Sequence, residues 1–179
     1  MSRPEPPQPV KLIVSVFTGE SRIVDRVMES LTVTFGPIDF LSQALPFSFT
    51  DYYEKEIGSD LFRHLASFKN LISPERLPSI KLYTNDLEDT CLRQDGTRRV
   101  NIDPGYVSLC HLILATCKPF SHRPYLGEGV YADMTLMYQR GGFRPLAWTF
   151  PDYASAEMTG LLNNIRAGYY SQLKEETSL

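Results

Sequence analysis

The chain has 179 residues, of which 42% are hydrophobic and 22% are charged, and its net charge at pH 7 is −3. This composition is typical of a folded globular protein and excludes a disordered or fibrous chain. The small negative charge also excludes a protein that coats nucleic acid through its overall charge, but it leaves room for a local basic site.

The first third of the chain predicts a short tail followed by alternating strands and a helix. Residues 1–10 are rich in proline, so we expect a flexible tail there and a single α+β domain over residues 11–179. The apolar run Lys11 to Phe17 predicts a strand covered on both faces. Apolar residues at helical spacing predict a helix from Glu20 to Phe35, and Ile38 to Phe47 is strand-like.

The middle of the chain predicts a second strand, helix and strand. Leu61 to Ile72 fits either a helix or a strand, and we favour a strand. Ser73 followed by Pro74 is a helix-start signal, and apolar spacing continues that helix toward Glu88. A strand from Arg98 to Ile102 completes a β-α-β-β-α-β order. This order matches a ferredoxin-like core, an antiparallel sheet with helices on one face.

The remaining residues predict an extension of this core. His111 to Cys117 and Val130 to Tyr138 have strand patterns. Gly141-Gly142 predicts a turn into a strand from Phe143 to Phe150, which makes a C-terminal β-hairpin. Ser155 is typical of the cap of a final helix with an apolar stripe. The predicted fold is therefore α+β, with a ferredoxin-like core extended by a hairpin and a last helix.

Three cysteines, Cys91, Cys110 and Cys117, bear on the cellular compartment. Their number is odd and they lack the paired short spacing of a zinc site, which indicates free thiols in a reducing cytoplasm. No apolar run approaches the roughly 20 residues of a membrane helix, and the N-terminus has no apolar signal core. We therefore expect a cytoplasmic protein without a membrane partner.

Five runs of residues, in order along the chain, resemble a known family. They are YYEKEIG (Tyr52 to Gly58), LISPERLPSIKLYTNDLE (Leu71 to Glu88), RRVNIDPGY (Arg98 to Tyr106), LATCKPFSHRPYLGEGVYADMTL (Leu114 to Leu136) and WTFPDY (Trp148 to Tyr153). Together they resemble the bacterial and archaeal family called domain of unknown function 4416, over nearly the whole chain. The resemblance implies a compact prokaryotic protein of this length and carries no established activity.

The most unusual chemistry lies in residues 98–131, where four cations stand against two carboxylates. Lys118, His122 and Arg123 lie on a predicted loop that precedes Tyr125 and two glycines. Such a loop would hold a phosphate or carboxylate through charge-assisted hydrogen bonds, with Tyr125 beside it. His122 would add a proton relay, because a histidine titrates near neutral pH.

The motif Asn101 to Tyr106 predicts a turn, because proline and glycine follow Asp103. This turn would present the Asp103 carboxylate as a metal ligand or general base, or the carboxylate would only bind nearby backbone N–H groups. Asn101, Tyr106 and the neighbouring Arg99 are candidate ligand-binding residues. Lys81 joins them if the polar stripe of the second helix faces the site instead of solvent.

The acidic segment 51–60 has a net charge of −3 and contains Glu54 and Glu56. In an extended segment these two carboxylates face the same side, which suits a divalent cation. Together with Asp103 they are the candidate metal ligands. The segment is otherwise a weak surface partner for the Lys118 and Arg123 cations. The residues identify no cofactor.

Three functions from different classes follow from these residues. The leading hypothesis is a module that binds a phosphorylated or otherwise anionic ligand, with a nucleotide or an RNA end as examples, through Arg99, Lys118, His122 and Arg123. The second is a small hydrolase or transferase, metal-dependent in one version, in which Asp103 and His122 are catalytic. The third is a non-catalytic domain that forms a homodimer. The chain shows no pattern of sequence-specific DNA binding.

Overall fold

The computed structural model describes residues 3–47 and 56–177, and this part of the chain forms nine strands and three helices. The strands are β1 (Val10–Thr18), β2 (Ile38–Leu41), β3 (Leu45–Pro46), β4 (Phe62–Ile72), β5 (Val100–Val107), β6 (His111–Thr116), β7 (Tyr125–Gly127), β8 (Val130–Gln139) and β9 (Gly142–Pro145). The helices are α1 (Ser21–Phe35), α2 (Leu77–Asp89) and α3 (Ala156–Thr177).

All strands belong to one antiparallel sheet in the order β2-β4-β1-β5-β6-β8-β7, with β3 beside β4 and β9 beside β8. The fold is therefore mixed α+β, as the sequence predicted. The strand from Phe62 to Ile72 is also confirmed where the pattern was ambiguous.

The central strand β1 is buried along its whole length, as its continuous apolar run predicted. Leu12, Val14 and Val16 pack on the face that α1 and α2 cover, whereas Ile13 packs on the opposite face against α3. Successive side chains of a strand point to opposite faces, so both faces of the sheet carry a core. The final helix therefore lies on the other side of the sheet from α1 and α2.

Two of the three helix-end signals predicted from the sequence are confirmed. Gly36 ends α1 at a φ of 95°, with its N–H donating to the carbonyl of Thr32. Ser155 caps α3, because its Oγ accepts the N–H of Met158 at 3.2 Å. Ser73, in contrast, makes no side-chain cap bond, and a 3₁₀ turn at Pro74–Arg76 leads into α2.

The expected strand from Ile38 to Phe47 is wrong in its length, because it is divided into β2 and β3. Ser42 causes the break. Its N–H donates to the carbonyl of Leu65 at 2.9 Å, and its Oγ accepts the N–H of Leu65 at 2.9 Å. A side chain here replaces a backbone bond of the ladder.

The expected strand from Phe143 to Phe150 is also too long, since β9 ends at Pro145. Just beyond it, the N–H of Leu146 donates to Oγ1 of Thr149 at 2.8 Å. This side-chain bond forms a local turn in place of further pairing with β8.

The Asp-Pro-Gly turn is wrong, because Asp103, Pro104 and Gly105 all lie within β5. Gly105 does not have a positive φ. A Cβ at this position would lie 2.4 Å from the carbonyl oxygen of Ile113 on β6, so the glycine permits a close approach of two strands and not a turn. Pro104 is tolerated where β6 no longer pairs, since pairing begins at Gly105.

Residues 3–9 are exposed and outside regular structure, and β1 begins at Val10. The carbonyl of Pro9 accepts the hydroxyl of Tyr169 at 2.6 Å, which ties the end of this tail to α3. None of the helices in residues 3–47 and 56–177 has the length and apolar character needed to cross a bilayer.

Candidate functional site

The sheet opens between β5 and β6, because β6 pairs with β5 only at Gly105–Val107. Side chains of α2 occupy the edge of β5 that this opening exposes. The N–H of Ile102 donates to Oε1 of Glu88 at 2.6 Å, and the carbonyl of Ile102 accepts Nζ of Lys81 at 3.1 Å. These two charged groups replace a neighbouring strand as partners of the backbone.

A cavity of about 770 Å³ lies at this opening. Its polar lining contains five cations and five carboxylates, and aromatic rings close one end. The lining residues are Phe17, Phe47, Glu56, Arg63, Lys81, Asn85, Glu88, Arg98, Asn101, Asp103, Leu114, Ala115, Thr116, Cys117, Lys118, Arg123, Asp133, Phe150, Pro151, Asp152 and Tyr153. The charges of the cavity are therefore balanced, and the cavity is not a basic patch.

Arg98 binds two carboxylates in the middle of the cavity. It holds Glu56 in a bidentate pair, with Nε to Oε1 at 2.7 Å and Nη2 to Oε2 at 2.6 Å, and its Nη1 lies 3.4 Å from Oε2 of Glu88. The hydrogen bond from Arg98 lowers the pKa of Glu56, and the same bond raises the pKa of Arg98. Lys118 lowers the pKa of Glu56 further, which places its charge near this pair.

Glu88 is almost fully buried, and burial raises its pKa against the opposing effect of Lys81. Lys81 also lies 3.5 Å from Oδ1 of Asp103, whose Oδ2 accepts Nδ2 of Asn101 at 2.7 Å. Asp103 is thus fixed by an amide and an ammonium group inside a strand. Its carboxylate faces the cavity in a defined orientation.

The end of the cavity nearest β4 is built around Arg63, which is buried with Asp152. Nη1 of Arg63 donates to Oδ2 of Asp152 at 2.5 Å. The guanidinium lies 5.5 Å from the ring of Phe17, 4.7 Å from that of Phe47 and 5.1 Å from that of Tyr153. Three aromatic rings and one carboxylate therefore hold this cation in place.

The opposite end of the cavity is built by the loop between β6 and β7. Nε of Arg123 donates to Oδ2 of Asp133 at 2.8 Å, and its Nη1 donates to the carbonyl of Lys118 at 3.1 Å. Lys118 and Arg123 are thus brought together by a single loop, and both line the cavity.

His122 lies on the same loop but outside the lining of the cavity. Its ring stacks on Trp148 with centroids 4.8 Å apart, and it makes an edge contact with Phe120 at 5.2 Å. Its Nε2 is 3.6 Å from Oδ2 of Asp133, beyond hydrogen-bonding distance. In this structure the histidine packs in an aromatic stack.

The structure separates three other predicted residues from the cavity. Arg99 pairs with Glu20 at the start of α1, with Nη2 2.5 Å from Oε2. Tyr106 packs against the hydrophobic core, and burial raises its pKa. Tyr125 is exposed and its hydroxyl accepts the N–H of Gly129 at 3.2 Å. The lining thus contains Lys118 and Arg123 from the predicted cation cluster, but neither Arg99 nor His122.

The metal hypothesis receives no support from the described residues. Glu54 lies outside them. Glu56 is engaged by Arg98, and Asp103 by Lys81 and Asn101. Within residues 3–47 and 56–177, no three His, Cys, Asp or Glu side chains are grouped so that they could hold a metal ion.

Sequence reasoning missed several charged residues of the cavity as site candidates: Arg63, Arg98, Asp133 and Asp152. A signal existed for two of them. Arg63 alternates with Leu61 and Leu65, so it shares a strand face with apolar residues, and Asp133 alternates in sequence with Tyr131 and Met137 in β8. A charge on a face that must be buried needs a partner, which makes such positions candidate site residues.

The fold and the cavity define an α+β protein with one antiparallel sheet and a cavity lined by ion pairs at a split in that sheet. The chain belongs to the family described as domain of unknown function (DUF4416), which matches residues 8–169. The family predicted from five sequence motifs is thereby confirmed. No curated protein matches the chain, and no solved structure does.

Proposed function

We propose that the protein binds a phosphorylated small molecule, about the size of a nucleotide, in the cavity between β5 and β6. The observation that carries this proposal is the split in the sheet, whose walls bring Lys81, Arg98, Lys118 and Arg123 to one cavity of about 770 Å³. This volume falls within the roughly 300–1,000 Å³ of small-molecule sites in proteins.

The loop after β6 is the best-placed anchor for the phosphate. Arg123 uses Nε and Nη1 for Asp133 and the carbonyl of Lys118, whereas its Nη2 makes no hydrogen bond to the described residues. A phosphate oxygen can bind Nη2 without displacing Asp133. Lys118 lies on the same loop, lines the cavity and supplies a second cation.

Arg98 and Lys81 contribute differently, because their charges are already balanced by paired carboxylates. They fix the shape and potential of the cavity and add a longer-range attraction for an anion. Aromatic rings at the rim, such as the half-exposed Phe150, offer an apolar surface for the rest of the ligand. The site therefore suits a molecule with one anionic end and one less polar portion.

Thermal-shift and calorimetric titrations with uridine 5′-monophosphate, ribose 5-phosphate and inorganic phosphate test this proposal. Lys118→Gln should weaken binding of the phosphate esters by about 10-fold or more, since a hydrogen bond to a charged group contributes about 1.5–3 kcal/mol. Lys69→Gln is the matched control, because Lys69 is an exposed lysine that does not line the cavity. Equal binding by both variants would remove the proposal.

His122→Asn is the informative companion variant. The stack on Trp148 places His122 outside the lining, so its replacement should leave phosphate-ester affinity within about 2-fold of the parent protein. It should nevertheless change the fluorescence of Trp148, the single tryptophan of the chain. A large loss of affinity would instead restore His122 as a ligand-binding residue.

We also infer that the central four strands form a ferredoxin-like core. The order β2-β4-β1-β5, with α1 and α2 on one face as the two connections, supports this topology. The free thiols of Cys91, Cys110 and Cys117 support a cytoplasmic location.

A further inference from the structure

Buried polar atoms at or beside the end of the cavity nearest β4 have no hydrogen-bond partner in residues 3–47 and 56–177. They are Nε of Arg63, the hydroxyl of Tyr153 and the hydroxyl of Ser15. Arg63 and Tyr153 are each 4% exposed and Ser15 is 0% exposed. Buried polar groups are nearly always satisfied in folded proteins, so three such atoms in one place require an explanation.

These atoms belong to one region of the molecule, which we call the floor. Arg63 and Tyr153 line the cavity, and the guanidinium lies 5.1 Å from the Tyr153 ring. Ser15 pairs with Asp103 across β1 and β5 and lies near Tyr153 without a hydrogen bond of normal geometry, but it does not line the cavity. Burial raises the pKa of Tyr153, so its hydroxyl stays protonated and available as a donor.

The floor is rigid. Asp152 and the rings of Phe17 and Phe47 hold the Arg63 guanidinium, which fixes the direction of its Nε–H. A donor fixed in this way loses little conformational entropy when it binds a ligand. The floor therefore has the character of a preorganised subsite.

The charges around the floor favour a neutral ligand group there over an anionic one. Two carboxylates, Asp103 and Asp152, line the cavity beside the Arg63 cation. A second anionic group on the ligand would meet like charge, which is unfavourable at short range. A neutral hydroxyl both donates and accepts, so it matches a floor with hydroxyls and a guanidinium N–H on one side and carboxylates on the other.

We propose that the ligand is the phosphate ester of a sugar, with its hydroxyls bound by Arg63 and Tyr153 on the floor of the cavity. This inference rests on the proposed function, in which Lys118 and Arg123 bind the phosphate. A free sugar phosphate and the ribose phosphate of a nucleotide share this chemistry, and different probes distinguish them.

Tyr153→Phe is the sharpest test, because it removes only a hydroxyl that has no partner in the described residues. The variant should keep its melting temperature. In calorimetry it should bind ribose 5-phosphate or uridine 5′-monophosphate about 5–10-fold more weakly, the effect of one lost hydrogen bond, while its weak binding of inorganic phosphate stays unchanged. Tyr170→Phe, at an exposed tyrosine on α3, should give no loss.

The outcomes separate this inference from the proposed function. Binding of either ester that depends on Lys118 but not on Tyr153 overturns the sugar subsite and leaves the phosphate site in place. Absence of Lys118-dependent binding for all three probes overturns both. An equal loss of inorganic phosphate binding in Tyr153→Phe also overturns the subsite. Tighter binding of uridine 5′-monophosphate supports a nucleotide, and tighter binding of ribose 5-phosphate supports a free sugar phosphate.

Discussion

Glu88 on α2 accepts the backbone N–H of Ile102 on β5 at 2.6 Å, at the place where β6 has separated from β5. A helix side chain here takes the position of a neighbouring strand. The split in the sheet therefore depends on a buried carboxylate, and the candidate cavity depends on the split.

Glu88→Ala should consequently destabilise the protein more than an ordinary surface change. It leaves the N–H of Ile102 without its partner and removes a carboxylate that balances Lys81 and Arg98. Loss of one member of a buried charged network costs about 3–5 kcal/mol in the free energy of unfolding. Urea denaturation followed by circular dichroism measures this quantity.

Asp86→Ala on the same helix is the control, because Asp86 is exposed. It should change the free energy of unfolding by no more than about 0.5 kcal/mol. A loss below about 1 kcal/mol for Glu88→Ala would show that the carboxylate is not needed to support the edge of β5.

Glu56 predicts a dependence of stability on pH. The hydrogen bond from Arg98 lowers its pKa below the ordinary value of 4.5 in the folded protein. A carboxyl group with a lowered folded pKa contributes stability above its unfolded pKa, and this contribution is lost as the pH falls through the folded pKa. The parent protein should thus be more stable than Glu56→Gln near neutral pH, and the difference should shrink on acidification below about pH 4.5.

Melting temperatures of the two proteins between about pH 3 and pH 7 provide the measurement. Glu29→Gln, an exposed carboxyl on α1, is a control whose difference from the parent should be small throughout. A difference in melting temperature between the parent and Glu56→Gln that stays constant with pH would contradict a Glu56 pKa lowered by Arg98.

The buried pair of Arg63 and Asp152 predicts strong coupling between two distant positions of the chain. Arg63→Met alone leaves the Asp152 carboxylate buried without its cation and should cost about 3–5 kcal/mol. Adding Asp152→Asn removes that uncompensated charge. The double variant should therefore be more stable than the sum of the single effects allows, by about 1 kcal/mol or more. Additive effects in urea denaturation would show that the pair is not formed.

The close approach of β5 and β6 at Gly105 predicts that one added methyl group there lowers the stability of the protein. Gly105→Ala places a Cβ 2.4 Å from the carbonyl oxygen of Ile113, so β5 and β6 must shift, at a cost of about 1–3 kcal/mol. Gly160→Ala on α3 is the contrasting variant. It has no atom within 4 Å of the new Cβ and should stabilise the helix by about 0.5–1 kcal/mol. Equal thermal denaturation of the two variants would contradict the close approach of the strands.

The same glycine shows why the sequence predicted the fold better than the site. The run of β1 and the helical spacing of α1 depend on local periodicity, which a sequence displays directly. Asp103-Pro104-Gly105 has the composition of a turn, but a glycine is needed there because the backbone of Ile113 on another strand lies too close for a side chain. Contacts of this kind are long-range, so local turn chemistry gives the wrong prediction.

For the candidate site, too, local arrangements were predictable from the sequence and long-range contacts were not. Lys118 and Arg123 lie on one loop, and their proximity was predictable from their spacing. Arg99 is next to Arg98 in sequence, yet it pairs with Glu20 beside α1 while Arg98 enters the cavity. Both residues precede β5, which begins at Val100, and each takes its direction from partners on other elements. The two cations could therefore be separated only once those long-range partners were known.

The most direct test of the ligand site is a crystal structure of the protein with uridine 5′-monophosphate or ribose 5-phosphate, whichever binds more tightly in calorimetry. The phosphate should lie between β5 and β6, with its oxygens within about 3.2 Å of Nζ of Lys118 and Nη2 of Arg123. A phosphate bound elsewhere on the surface, with neither cation in contact, would contradict the assignment of this cavity as the ligand site.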